Sequence, residues 1–115
     1  MSAGNSLKAM PMITVDTSTL NNTSYIDVTS GVGLLYPISL LHIYNATAQD
    51  ILISYDGTHD ADVAATKVSS YINFQQAATP NNFLSLLPQG TKIYLKLTTS
   101  SGSGDLYISG YYQKQ

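Results

Sequence analysis

The chain has 115 residues, of which 43% are hydrophobic and only 10% are charged, and its formal net charge is −2. A chain of this length forms one domain with a single core, and so small a charge, without any basic cluster, argues against DNA or RNA binding. No apolar run approaches the ~20 residues of a membrane span, and the absence of cysteine excludes disulfides, thiolate zinc sites and cysteine nucleophiles.

The first twelve residues are predicted to form an extended N-terminal arm, which leaves residues 13–115 as the folded domain. Most residues of the arm are small or polar. They include one lysine and lack the apolar segment of a signal peptide, so we expect no secretory signal. In a free monomer such a terminus is commonly disordered. In an assembly, Leu7, Met10 and Met12 would offer it apolar anchors on a neighbouring subunit.

Short alternating runs follow the arm in chain order. Strands are predicted at residues 12–16, 24–28, 34–45, 50–55, 66–74 and 83–88, with polar or glycine-containing loops between them. The run 34–45 is the most apolar. Both of its faces are largely apolar, which predicts a central strand that is covered on both sides or whose outer face meets a partner.

The C-terminal stretch 90–112 has the sequence form of a β-hairpin. Two runs with period-two alternation flank a loop of Thr, Ser and Gly at 99–104. One face of the first run is apolar and the other carries Lys92, Tyr94 and Lys96. The second run places Tyr107 and Tyr111 opposite its apolar face. With an ordinary hairpin register, Tyr94, Tyr107 and Tyr111 are expected on one outer face.

This pattern gives about eight short strands at the spacing typical of a sandwich or barrel, and no window shows a helical stripe. All acidic residues are Asp and all basic residues are Lys, while strand-favouring Thr, Tyr, Ile and Val are abundant. We therefore predict an all-β fold, an antiparallel β-sandwich with jelly-roll or immunoglobulin-like wiring.

Candidate chemistry is sparse. Asp56, His59, Asp60 and Asp62 crowd one loop and could offer oxygen ligands to calcium, but the spacing lacks the EF-hand pattern and its closing Glu. The alternative is a solvated turn in which Asp and Gly serve the backbone geometry. His42 lies in the apolar strand without a nucleophile motif beside it. We expect no enzyme, no catalytic residue, no cofactor and no metal site.

Nine tyrosines are the most informative residues in so weakly charged a chain. An exposed tyrosine row could form a protein–protein interface, where Tyr is enriched. It could also stack on sugar rings, or it could be core beneath a second sheet or the arm. The predicted interface residues are those of the arm together with those of the hairpin: Leu7, Met10, Met12, Lys92, Tyr94, Lys96, Tyr107 and Tyr111.

Residues 41–112 resemble a group of known proteins. They contain N-A-T at 45–47 followed by I-S-Y-D-G at 53–57, P-N-N at 80–82, P-Q-G-T-K-I-Y-L-K-L at 88–97, and a final D-L-Y-I-S-G-Y-Y at 105–112. These motifs are similar to those of small structural proteins of tailed bacteriophages. They are strand and turn patterns without active-site residues, and they cover about the last two-thirds of the chain.

The resemblance implies a small β-sandwich that is part of a virion. Capsid decoration (cement) proteins of this size and class have jelly-roll subunits that bridge major capsid proteins, often as trimers. We accordingly expect a structural protein on the capsid surface, made in the host cytoplasm, with the major capsid protein and copies of itself as partners, and with no nucleic acid or membrane partner. A tail, neck or fibre component and a carbohydrate-binding module are the alternatives.

Overall fold

The computed structural model describes residues 6–73 and 87–114. Within these residues the chain forms nine strands and a short 3-10 turn at Thr17–Thr19. The strands are β1 Ser6–Ala9, β2 Ile13–Asp16, β3 Ile26–Asp27, β4 Leu40–Asn45, β5 Ile51–Ser54, β6 Asp62–Ala64, β7 Ser69–Asn73, β8 Tyr94–Leu97 and β9 Asp105–Lys114. No helix in the described part of the chain is long and apolar enough to cross a membrane.

The strands form two antiparallel sheets that pack as a sandwich, as the alternation predicts. Sheet A has the order β1-β9-β4-β7, with β2 also pairing with β9, and sheet B has the order β3-β8-β5-β6. From β2 onward most successive strands lie in opposite sheets, which is the jelly-roll arrangement. Of the two predicted wirings, the structure therefore has the jelly roll.

The predicted C-terminal hairpin is wrong. β8 pairs with β3 and β5 in sheet B, whereas β9 pairs with β1, β2 and β4 in sheet A. The connection at residues 98–104 crosses from one sheet to the other. Alternation shows which face of a strand is dry but not which strand lies beside it, because either arrangement buries the same side chains. Tyr94 is consequently separated from Tyr107 and Tyr111.

The crossing loop is held by specific contacts at both ends. The Gln49 side chain accepts hydrogen bonds from the backbone N–H groups of Thr98 and Thr99 and donates to Ser101 O. At the other end, Thr17 donates through both its N–H and its Oγ1 to Gly104 O. These contacts fix a segment whose composition predicts only that the chain turns.

The core lies between the sheets and is almost wholly aliphatic. The inward positions alternate along each strand, so that Leu41 and Ile43 of β4 are buried while their neighbours are half-buried. The side chains with an exposed fraction of 1% or less in this core are Ile38, Leu41, Ile43, Ile51, Ile53, Ile93, Leu95, Leu97, Leu106 and Ile108. Fully burying each such side chain stabilises the fold by roughly 1.5–3 kcal/mol before conformational entropy is counted.

Part of the predicted arm is a strand of the same sandwich. Residues Ser6–Ala9 form β1 and pair with the C-terminal half of β9, with Leu7 opposite Gln113. Met10 follows and is buried beside Gly110, whose carbonyl accepts from the Met10 N–H at 2.8 Å. Two other predicted strands extend beyond the described residues. Residue 74 of the predicted strand 66–74 lies outside them, as do residues 83–86 of the predicted strand 83–88. Leu87 forms an isolated bridge with Ile38.

Candidate interaction faces

The outer face of sheet A carries a patch of aromatic side chains, here called the aromatic face. Strand register places it across three neighbouring strands, because residues of one parity in β7, β4 and β9 point away from the core. Its residues are Leu40, His42, Tyr44, Tyr71, Tyr107 and Tyr111.

Two stacked pairs organise the aromatic face. His42 lies opposite Tyr71 in the β4–β7 ladder, and their ring centroids are 4.5 Å apart. Tyr44 lies opposite Tyr107 in the β4–β9 ladder, with centroids 6.3 Å apart and ring planes within 8° of each other. Cross-strand aromatic pairs of this kind stabilise a sheet and hold their rings in fixed orientations. The face is therefore preorganised for contact.

The aromatic face is partly solvent-exposed. None of its six residues is Asp or Lys, and Asp105 and its cross-strand neighbour Asp16 border it on the same side of sheet A. Tyr71 has 67% of its surface exposed, and its partner His42 is half-buried. The second sheet covers the opposite side of sheet A, so these rings are not core. Asp105 lies at one end of the face, 3.5 Å from the Tyr107 hydroxyl. Aromatic enrichment combined with depletion of charge is the composition of an interface centre.

The predicted hairpin residues are divided between the two outer faces. Tyr107 and Tyr111 belong to the aromatic face, while Tyr94 and Lys96 lie on the outer face of sheet B. The tyrosine row predicted from a hairpin register is thus not assembled. Tyr107 and Tyr111 instead share the aromatic face with side chains of β4 and β7.

On sheet B the candidate side chains are engaged within the chain. Lys96 Nζ lies 4.6 Å from the ring centroid of Tyr25 and 4.0 Å from the Asp60 carboxylate. The Tyr25 hydroxyl donates to the same carboxylate. Desolvation and this hydrogen bond raise the pKa of Tyr25 to about 12. Tyr94 packs beside Gly57, where an added Cβ would lie 3.3 Å from its ring.

The remaining predicted interface residues lie elsewhere. Met10 fills the core, and Met12, two residues further along the chain, is 56% exposed. Lys92 precedes β8 and is half-buried; its charge is one of the influences that lower the pKa of Asp27. Leu7 lies in β1 at the edge of sheet A. The predicted set therefore occupies several separate regions of the surface and core.

The acidic loop has the geometry of a turn. One oxygen of Asp56 accepts from the backbone N–H groups of Thr58 and His59 at 2.8 and 2.9 Å, and from Ser54 Oγ. These bonds hold the pKa of Asp56 well below its ordinary value. Gly57 supplies a positive φ of 83°. Among the described residues, no three His, Cys, Asp or Glu side chains converge as a metal site.

The same loop gives a pH-dependent prediction. His59 Nδ1 lies 2.7 Å from Asp56 Oδ2, and this hydrogen bond and the carboxylate charge raise the pKa of His59. A raised pKa means that the pair stabilises the fold below the unfolded-state pKa of about 6.5, and that this stabilisation is lost as pH rises through the folded-state pKa. NMR titration should place the pKa of His59 above 6.5.

Replacing Asp56 by Asn tests the cause of that shift. Asn keeps an oxygen for the turn but removes the charge, so the pKa of His59 should fall towards its ordinary value. The control is Asp60→Asn, because the Asp60 charge is the weakest of the influences on His59. A His59 titration unchanged by Asp56→Asn would contradict the assigned pair.

Sequence reasoning missed four members of the aromatic face: Leu40, His42, Tyr44 and Tyr71. The run 34–45 contains the signal for three of them, Leu40, His42 and Tyr44. These outward positions are apolar or aromatic, whereas a strand that packs against the core on one side requires apolar residues only at its inward positions. What the sequence does not supply is the pairing of β4 with β7 and β9. Only that pairing joins these residues to Tyr107 and Tyr111.

Comparisons with known proteins identify no family. No family model matches the chain, and no curated protein matches it. Among solved structures it is similar to the SPP1 Dit protein, described as a paradigm of the hub adsorption apparatus in phages that infect Gram-positive bacteria. The identity is 16% and the TM-score is 0.38, over 92% of this chain and 49% of that protein. The chain thus spans about half the length of that structure.

Proposed function

We propose that this chain is a non-enzymatic structural protein of a tailed-phage virion. Within the virion, we assign it to capsid decoration: it binds the major capsid protein shell, stabilises it, and contacts further copies of itself. The observation that carries this proposal is the aromatic face, a preorganised patch that the chain's own second sheet does not cover.

The size of the aromatic face indicates the kind of contact it makes. Five residues of β9 across three strands cover about 17 Å by about 14 Å, or roughly 240 Å². A stable two-protein interface buries roughly 800 Å² on each partner. One such face alone therefore supports a weak contact. On a repeating shell, a copy that also makes a second contact binds more tightly overall, because the two linked contacts act together through avidity.

The motifs shared with phage structural proteins act as turn and sheet devices in this structure. Asn45 and Thr47 of N-A-T bond to each other at the end of β4. Ser54, Asp56 and Gly57 of I-S-Y-D-G build the turn after β5. They fix the sandwich and leave its outer faces free to differ. The resemblance therefore supports the virion assignment, and the aromatic face supports the contact.

The test begins with virions purified from the phage that encodes the chain. Mass spectrometry should detect this chain at high copy number, and particles lacking it should lose their contents at a lower temperature. Purified virions without the chain would overturn the proposal. A chain confined to isolated tails would retain the structural role and replace the capsid assignment by the tail alternative.

A matched pair of variants tests the face itself. Tyr71→Ser removes the most exposed ring of the aromatic face, and Val63→Ser removes an apolar side chain that is 51% exposed on sheet B. Val63→Ser should change folding stability by less than about 0.5 kcal/mol. Tyr71→Ser also removes the His42–Tyr71 stack and should cost up to about 1 kcal/mol, so occupancy is compared at a temperature where both variants are folded. Tyr71→Ser should lower occupancy on depleted particles at least tenfold, as for a central interface aromatic, by about 1.4 kcal/mol or more. Val63→Ser should bind like the unaltered protein.

Binding to a glycan array provides the competing outcome. If the aromatic face stacked on sugars, Tyr71→Ser would abolish a glycan signal of the unaltered protein without changing particle occupancy. A silent array together with lost occupancy supports a protein partner. Equal occupancy of the two variants would contradict docking through this face.

A further inference from the structure

The turn after β5 contains a dipeptide that can rearrange without an enzyme. Asp56 is the only one of the seven aspartates that is followed by glycine. Because glycine has no side chain, the backbone nitrogen of Gly57 is unhindered and the chain around it bends freely when it is not folded. In a flexible chain an Asp-Gly pair converts slowly into isoaspartate, in which the main chain runs through the side-chain carbons of the aspartate. Asp56 is thus a potential site of spontaneous modification.

The rearrangement takes two steps and leaves the composition of the chain unchanged. First, the Gly57 nitrogen attacks Cγ of Asp56 and a new N–Cγ bond forms. The N–H proton and the carboxyl hydroxyl group leave together as water, which closes a succinimide ring. Water then adds to the main-chain carbonyl of the ring and opens it to isoaspartate. The first step needs a free Gly57 N–H and a protonated Asp56 carboxyl group, since an ionised carboxylate has no hydroxyl group to lose.

The geometry of the turn requires both residues of this reactive pair. Gly57 has a φ of 83°, and an added Cβ would lie 3.3 Å from the ring of Tyr94, so glycine suits the position for two reasons. Asp56 is required as an acceptor, because its Oδ1 bonds to the N–H groups of Thr58 and His59 at 2.8 and 2.9 Å. The fold therefore places a reactive dipeptide in this turn.

Ser54 holds both reacting groups of that dipeptide. Its Oγ accepts from the Gly57 N–H at 2.9 Å and from the Asp56 N–H at 3.3 Å, and it donates to Asp56 Oδ1 at 2.9 Å. Ser54 is fully buried, so water does not compete for these bonds. Hydrogen bonds, chiefly from the His59 and Thr58 N–H groups, hold the pKa of Asp56 well below its ordinary value and keep its carboxyl group ionised. The attacking nitrogen and the carboxyl group are both engaged.

We propose that Asp56 is a gated modification site: the intact turn blocks isoaspartate formation, and local opening of the turn around Ser54 permits it. Isoaspartate adds a carbon atom to the main chain between β5 and β6 and displaces the carboxylate that bonds to Thr58 and His59. The modified turn cannot close in its original form, so the modification records opening irreversibly. This proposal is independent of the virion role, since it rests only on the chemistry and the contacts of the turn.

Incubation of the full chain near neutral pH tests the protection, with one sample folded and one unfolded in guanidinium chloride. Peptide mapping by mass spectrometry, together with enzymatic methylation of isoaspartate, measures the modification at Asp56. The folded chain should accumulate isoaspartate at least about tenfold more slowly than the unfolded chain, because only the open fraction of the turn reacts. Equal rates in the two samples would overturn the proposal.

A matched pair of buried serines tests the role of Ser54. Ser54→Ala removes the hydroxyl group that holds both reacting groups, and it should accelerate the reaction of the folded chain by about fivefold or more. Ser39→Ala is the control, because Ser39 is 2% exposed and its Oγ donates to Tyr111 O in sheet A. It should react like the unaltered protein. An unchanged rate in Ser54→Ala, or equal acceleration in both variants, would overturn the gate at Ser54.

Hydrogen exchange of the unaltered chain tests the same contact without relying on a variant that folds. The Gly57 amide should exchange at least about tenfold more slowly than in the unfolded chain, since it donates to a buried oxygen. Exchange at the rate of the unfolded chain would show that the Gly57 nitrogen is free in the folded protein and would overturn the proposal.

Discussion

Replacing Asn45 by Asp is expected to lower the free energy of unfolding by about 3–5 kcal/mol, because it breaks a fully satisfied buried network. Asn45 is 0% exposed at the end of β4. Its Nδ2 donates to Gln49 O and to Ala64 O, both at 2.8 Å. Its Oδ1 accepts from Thr47 N and from Thr47 Oγ1. One side chain thereby joins the end of sheet A to β6 of sheet B.

Aspartate at this position replaces two donors by an acceptor that faces two carbonyl oxygens. The buried carboxyl group would resist ionisation, so the loss of stability should increase between about pH 4 and about pH 7. Chemical denaturation at both pH values measures this loss of stability. Asn22→Asp is the control, since it makes the same chemical change at an exposed position and should cost less than about 0.5 kcal/mol. Equal stability of the two variants would contradict the network's importance.

Replacing Gly33 by Ala is expected to have a comparable effect for a steric reason. Gly33 has a φ of +79°, and an added Cβ would lie 2.2 Å from Gly90 O. That carbonyl belongs to a segment fixed by two hydrogen bonds, Leu34 N–H to Thr91 O and Gly90 N–H to Leu34 O, each at 2.8 Å. The backbone must separate there, so we expect a loss of about 3–5 kcal/mol in thermal or chemical unfolding.

Gly31 provides the control within the same loop. Its φ is also +79°, but nothing lies within 4 Å of an added Cβ. Gly31→Ala therefore meets only the cost of the left-handed backbone, about 1–2 kcal/mol. The difference between the two variants isolates the clash with Gly90. If both substitutions cost the same, the close approach of the two segments would be wrong.

The sequence predicts the fold class because alternation and turn residues are local signals. The inward residues of β4, β8 and β9 follow the period-two pattern in each case. The order of the strands could not be predicted, since β8 and β9 bury the same side chains whether they pair with each other or face each other across the core. The crossing at 98–104 depends on Gln49 and Thr17, which are distant in sequence.

The candidate faces were predictable only to the extent that they lie on one strand. Tyr107 and Tyr111 share a face in β9 whatever its neighbours are. Their association with Tyr44 and, through β4, with Tyr71 follows from strand pairing, which one sequence does not contain.

The most direct test of the proposed role is imaging, at residue resolution, of a virion that contains the chain. We expect density of a neighbouring protein against the aromatic face, with the exposed ring of Tyr71 buried in the contact and the chain repeated over the capsid shell. An aromatic face open to solvent in every copy would contradict docking through sheet A. Absence of the chain from the virion would contradict the proposed function as a whole.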